Sequence, residues 1–268
     1  MRIKANGTFL WVAIVFKSLD LMGYYDDNSE VLEMLDKMPE NLTQLYATMV
    51  ERTSQLKGES SKLCRTALAI ATLVYRPLHL NKLSTLAGFQ NRLKNLSRIE
   101  KLIKDCGSFL TVQDNKIYFI HQSAKEYLTN DVSSQTFIFP DGRDKVQFTI
   151  ISNSLDATSQ IRRKNMYKLE HPGTLIDDVC SPKDNPLDTI LYSCANWVAH
   201  LCEIDAQSHL DRLIDKEKLL GFFKAHFLHW LEALSLTRNL SVNISHVKRL
   251  YKVLKVSIVS QPSGSNPS

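Results

Sequence analysis

From Phe9 onward, apolar positions recur at helical spacing, and their grouping divides the chain into elements. Phe9 to Met22 predicts a helix, with Thr8 as its cap and Gly23 as its stop. A polar loop, Tyr24 to Ser29, precedes a second helical pattern carrying Val31, Leu32, Leu35 and Met38, which Pro39 ends. Leu42, Leu45, Tyr46, Met49 and Val50 follow the i, i+3, i+4, i+7, i+8 rule and predict a third helix. Gly58 to Ser61 marks a boundary. Leu63 to Val74 is apolar nearly all round, as a central buried helix is. Leu80 to Leu86 and Ile99 to Ile103 predict two shorter helices.

The period then shortens. Cys106 to Val112 and Ile117 to Ile120 are apolar runs flanking the polar turn Gln113-Asp114-Asn115-Lys116, a β-hairpin pattern. His121 stands where the second strand hands over to an amphipathic helix through Leu128. Upstream, Tyr75-Arg76-Pro77-Leu78 joins two helical patterns through a proline. Helix, turn, helix, helix, hairpin is the order of a winged helix. Beyond a turn-rich connector, Phe137 to Gly142, helical runs return around Phe148 to Ile161, Leu187 to Cys202, Leu210 to Leu240 and Val247 to Val259. In the cleanest of them Leu219, Phe222, Phe223, His226, Phe227, Trp230, Leu231 and Leu234 share one face.

The expected fold is therefore mainly α. It comprises a helical subdomain over 1–57, a winged helix of three helices and a β-hairpin wing over 58–131, a bundle-like helical linker over 132–260, and a disordered tail over 261–268. No internal repeat stands out, which argues against a solenoid.

Composition supports this reading. With 268 residues, 44% of them hydrophobic, the chain can bury a sizeable core. Nine glycines are few, against an average usage of roughly 7%, as suits a helical protein with few turns. The five cysteines, Cys64, Cys106, Cys180, Cys194 and Cys202, are odd in number and irregular in spacing. They point to free, mostly buried thiols in a reducing compartment rather than a disulfide framework. Arg2 and Lys4 before the apolar run imitate a secretory signal, but Lys17 and Asp20 break the pattern. The run Phe9 to Phe16 is also far short of the ~20 residues that span a bilayer. Asn6, Asn41, Asn95, Asn239 and Asn243 lie in glycosylation sequons, which by themselves are only acceptors. The expected location is cytoplasmic, with no membrane partner.

Charge is uneven. The chain carries +5, yet residues 60–130 hold eleven lysines and arginines against four acids, a net of +7. Arg92, Lys94, Arg98, Lys101 and Lys104 near the third helix of the winged helix make nucleic acid a candidate ligand. Against it, Ile99, Leu102 and Ile103 make the same helix apolar-rich.

Catalytic patterns are missing from the sequence. A P-loop needs two glycines a few residues apart, then Lys and Ser/Thr, whereas Gly7 and Gly23, the nearest pair here, are sixteen positions apart. No nucleophile elbow or paired Cys/His signature occurs, so no catalytic residue is expected. Cys194, His200, Cys202, His226 and His229 cluster loosely, without the tight spacing of zinc sites, and no metal is expected. His121 remains, either as a plain cap on the helix that follows it or as a contact to a ligand.

Longer stretches carry a resemblance. Lys4 to Val12, Met38 to Tyr46, Tyr75 to Leu78 and Phe119 to Leu128 match one family in order and spacing. So do His171-Pro172-Gly173, Tyr192-Ser193-Cys194 with Trp197, and Trp230 to Leu236. Over nearly its whole length, to about residue 255, the chain resembles the region following the nucleotide-binding core in fungal NACHT proteins of the vegetative-incompatibility type. These are NOD-like STAND regulators that usually end in WD repeats. The resemblance implies a non-catalytic regulatory fragment: a helical subdomain closing the NACHT core, a winged helix, and a linker to the repeats. It implies that His121 contacts the diphosphate of a bound ADP or GDP, which exchange for ATP or GTP would release. Gly7 and Phe9 fall where relatives place a Gly-x-Pro motif that touches the base, with Phe9 in place of the proline. No cofactor is expected on this chain alone. The implied partners are a nucleotide-binding core, in the same chain or in trans, the WD repeats of longer relatives, and further copies through oligomerisation. The P-loop, magnesium acid and sensor arginine would lie upstream of Met1. Two alternatives stand beside this: a winged-helix nucleic-acid-binding protein, and a helical scaffold that binds protein through the Phe222-to-Leu234 face.

Overall fold

The computed structural model describes residues 9–22, 33, 35–36, 38–39, 41–89, 95–160, 165–171, 173–183, 185, 187–204 and 216–259. Thr8, Gly7, Gly23, Arg92, Lys94, parts of the expected helix around Val31 to Met38, and the tail 261–268 lie outside them. The described chain is mainly α with one small sheet. It forms two compact units, Met1–Gly142 and Arg143–Ser268.

In the first unit the elements are α1 (Phe9–Met22), α2 (Leu42–Ser54), α3 (Glu59–Leu73), β1 (Leu78–His79), α4 (Leu80–Ala87), α5 (Leu96–Asp105), β2 (Leu110–Gln113), β3 (Lys116–Phe119), α6 (Gln122–Asn130) and α7 (Val132–Ile138). Helix α3 is the hub. Its Cys64, Ala67, Leu68 and Ile70 have no exposed surface, and α2, α4, α5, α6 and α7 all pack on it. Helix α1 is amphipathic: Trp11, Ile14 and Val15 are buried while Phe9 and Phe16 face solvent. The Trp11 indole N–H donates to the Pro39 carbonyl at 2.8 Å, and Lys17 Nζ donates to the Leu110 carbonyl at 2.9 Å.

Local chemistry sets the element ends. Asn41 caps α2 by accepting from the Gln44 N–H at 2.8 Å, and Asn95 caps α5 by accepting from the Arg98 N–H at 3.0 Å. Two of the glycosylation sequons are thus helix caps, and a third, Asn243, is buried. Gly88 ends α4 in the left-handed region. In the hairpin, Leu110 faces Phe119 and Gln113 faces Lys116. Its two turn residues, Asp114 and Asn115, have φ of 50° and 59°. Positive φ at both central positions is the turn whose twist matches that of paired strands.

Two elements differ from expectation. Leu78 and His79 form a third strand on β3, giving the order β1-β3-β2. Two residues are too short to show a strand period in sequence. Val132–Ile138 is a helix where the sequence suggests an approach to a connector. Only Ser134 and Ile138 are buried on it, which is too weak a pattern to detect, and Asp131 caps it by accepting from the Ser134 N–H at 2.8 Å.

The second unit contains α8 (Arg143–Ser159), a short 3-10 turn (Ile176–Asp178), α9 (Leu191–Glu203), α10 (Lys216–Leu236) and α11 (Leu240–Val259). Its core is aromatic. Trp197 packs against Phe222 and Trp230 with ring centroids 5.5 and 5.4 Å apart, and the Trp230 indole N–H donates to the Cys194 carbonyl at 2.9 Å. Leu219, Phe222, Trp230 and Leu234 are buried here, so the face suggested as a protein-binding surface is largely core. A polar chain crosses the same core. His200 Nδ1 lies 2.6 Å from Gln147 Oε1, and its Nε2 lies 2.9 Å from the Tyr192 hydroxyl. The amide oxygen can only accept, so Nδ1 carries the proton and Nε2 accepts from Tyr192.

Candidate functional site

His121 sits between β3 and α6 in extended backbone, φ −158° and ψ 156°, as the cap of α6. The first N–H groups of a helix such as α6 have no partners within the helix. The Ser123 N–H finds one in His121 Nδ1 at 3.1 Å. A backbone N–H can only donate, so Nδ1 is the unprotonated nitrogen and the neutral ring carries its proton on Nε2. The side chain is exposed. Capping therefore uses one ring nitrogen and presents the other at the surface as a hydrogen-bond donor.

Two residues that sequence reasoning missed complete the site. Ser123 Oγ lies 2.8 Å from His121 Nδ1, and the Tyr46 hydroxyl lies 2.9 Å from Ser123 Oγ. Tyr46 comes from α2, is buried, and lies with ring centroids 5.9 Å from Phe109 and 5.4 Å from Tyr127. Burial pushes its phenol up from the usual value, with the Ser123 hydrogen bond opposing, so the hydroxyl keeps its proton. The sequence did hold a signal: Tyr46 falls on the buried face of its helix, and a buried tyrosine hydroxyl needs a partner.

Beside His121, Gln122 and Lys125 of α6 line a cleft of about 260 Å³ with Arg76, Tyr118 and Phe119 over an apolar floor of Leu78, Leu83 and Ile117. Among the described residues, Arg76 and Lys125 are its charged lining and no acid lines it. The local field favours anions.

The other expected contact residues are Phe9 and Gly7. Phe9 opens α1 and is 94% exposed. Gly7 lies outside the described residues. Of the histidines and cysteines in the C-terminal third, His200 is bonded to Tyr192 and Gln147. Burial pushes the Cys194 thiol up to about 12, as for an inert core cysteine. Among the described residues, no group of three or more His, Cys, Asp and Glu could hold a metal ion. All five cysteines are free, and Cys180 alone of them is exposed. Among the described residues, no helix is long and apolar enough to cross a membrane.

No family model matches the chain, and no solved structure matches it. Among curated proteins, it is 36% identical over 266 residues to the vegetative incompatibility protein HET-E-1 of Podospora anserina. The match takes in 93% of this chain and 19% of that protein, so the chain spans about a fifth of the relative's length. Over nearly all of its sequence, then, the chain is a relative of one stretch of a fungal vegetative incompatibility protein.

Proposed function

We propose that this chain is a regulatory, non-catalytic stretch of a fungal NACHT-type signalling switch, in which His121 senses the phosphates of a bound nucleotide. In this reading residues 1–57 close the nucleotide-binding core, residues 58–131 are a winged helix, and residues 132–260 form the linker that leads toward WD repeats. The core lies elsewhere in a longer chain or in a partner. The nucleotide is ADP or GDP in the closed state and ATP or GTP in the open one, which oligomerises. The location is cytoplasmic.

The observation that carries this reading is the division of labour within one imidazole. Nδ1 is held by the Ser123 N–H, and Nε2–H is offered at the surface. An N–H facing a phosphate oxygen makes a charge-assisted hydrogen bond, stronger than one to a neutral acceptor. Because His121 is also fixed to α6, gaining or losing that bond would bias the position of the whole unit, as a nucleotide switch requires. The element order and the β1-β3-β2 sheet favour the winged-helix assignment. The similarity to a vegetative incompatibility protein favours the signalling context.

Calorimetric titration of ADP, ATP, GDP and GTP into the purified chain tests the claim that the core lies elsewhere. The expected result is no saturable heat at micromolar nucleotide. A micromolar site on the chain alone would overturn the assignment.

One observation keeps the nucleic-acid reading in view. Arg98, Lys101 and Lys104 are exposed on α5, opposite its buried Ile99, Leu102 and Ile103. Duplex binding that weakens steeply with salt and discriminates between sequences would favour that reading.

A further inference from the structure

We propose that Tyr46 and Ser123 are positioning residues that hold His121 as an Nε2–H donor and so restrict its ligand to a hydrogen-bond acceptor. That the acceptor is a phosphate oxygen rests on the function proposed above; the setting of the ring does not.

Nδ1 faces the Ser123 N–H at 3.1 Å and therefore accepts. Ser123 Oγ lies 2.8 Å from the same nitrogen. Two lone pairs face to face at that distance repel, so the serine must turn its proton toward Nδ1. Its oxygen is then left as an acceptor, and the Tyr46 hydroxyl, 2.9 Å away, supplies the proton. All the protons point one way: Tyr46 O–H to Ser123 Oγ, and Ser123 O–H to His121 Nδ1. Turning the serine round would remove a donor from Nδ1 and set two lone pairs against each other.

Tyr46 suits the role because it cannot easily turn away. It is 2% exposed and lies against Phe109 and Tyr127. It also belongs to a different helix. The relay therefore spans α2 and α6, which pack on each other. A relative shift of about 1 Å would stretch the Tyr46–Ser123 contact beyond hydrogen-bond range. The donor state of His121 is thereby tied to the seating of α2.

Long-range proton–nitrogen NMR on the full chain, labelled with nitrogen-15 at histidine, reads the ring directly. In the wild type, His121 should show two well-separated ring-nitrogen shifts, with Nδ1 unprotonated. Tyr46→Phe keeps the ring stack, and it and Ser123→Ala should each draw the two shifts part of the way toward one another, because the second donor to Nδ1 is weakened or lost and the Ser123 N–H is left to favour the tautomer. Ser123→Thr, which restores a hydroxyl, should recover the separation. Thermal unfolding identifies the variants that keep the fold, and a lost cap alone would not distinguish Thr from Ala in this way. Wild-type ring shifts in folded Tyr46→Phe would overturn the relay, as would averaged shifts in the wild type at a pH where the ring is neutral. No nucleotide enters this readout, so its failure is separable from failure of the proposed function.

Discussion

His121 does two jobs with two nitrogens, and substitution can separate them. Alanine removes the cap and should lower the stability of the chain by about 1 kcal/mol in urea denaturation. Asparagine can cap but has no second nitrogen on the far side of a ring, so His121→Asn should hold stability within a few tenths of a kcal/mol of the wild type. If both variants unfold alike, the Nδ1 cap contributes nothing measurable. The second informative histidine is His200, which no sequence motif marks. Burial lowers its pKa from 6.5 to about 4. The unfolded chain binds a proton on this residue between those values and the folded chain does not. The stability it supports is therefore complete above about pH 6.5 and is lost as pH falls toward 4, by about 3 kcal/mol at most. His200→Gln should remove that part of the acid sensitivity, seen as a shallower fall in denaturation midpoint between pH 7 and pH 4. An unchanged fall would show that the buried network does not exclude the proton.

Among the elements, the turn between α5 and β2 is the most constrained. Gly107 has φ +66°, and a Cβ there would lie 2.5 Å from Thr53 Oγ1 and 3.0 Å from the Met49 carbonyl oxygen. Backbone therefore runs directly against α2, the helix that carries Tyr46. Gly107→Ala combines left-handed strain with that close approach and should cost about 2 kcal/mol or more. A thermal midpoint within a degree of the wild type would contradict the close packing. The hairpin, α1 and α3 were legible in the sequence because their signals are local: a polar turn between apolar runs, and long unbroken helical periods. Strand β1 and helix α7 were not, since two paired residues and two buried positions carry no period. The site was half legible. His121 stood out by its place at the end of the hairpin, but Ser123 and Tyr46 lie 77 positions apart and meet only through packing.

At the scale of the whole molecule, two compact units each carry their own core, one centred on α3 and one on the Trp197–Trp230 cluster. The similarity to a vegetative incompatibility protein runs through both, across 93% of the chain. The net +7 charge of residues 60–130 falls in the first unit, and two of its basic residues, Arg76 and Lys125, line the cleft beside His121, where an anion is favoured. In the proposed account these features meet in one event, the contact of the His121 donor with a diphosphate held by a neighbouring core. The most direct test is the rate of diphosphate release from a NACHT core joined ahead of this chain, compared between wild type and His121→Asn. The asparagine keeps the cap, so altered folding does not enter. The account predicts release about tenfold faster in the variant, the effect of losing one charge-assisted hydrogen bond. Equal rates in the two proteins would contradict it and leave His121 as a helix cap alone.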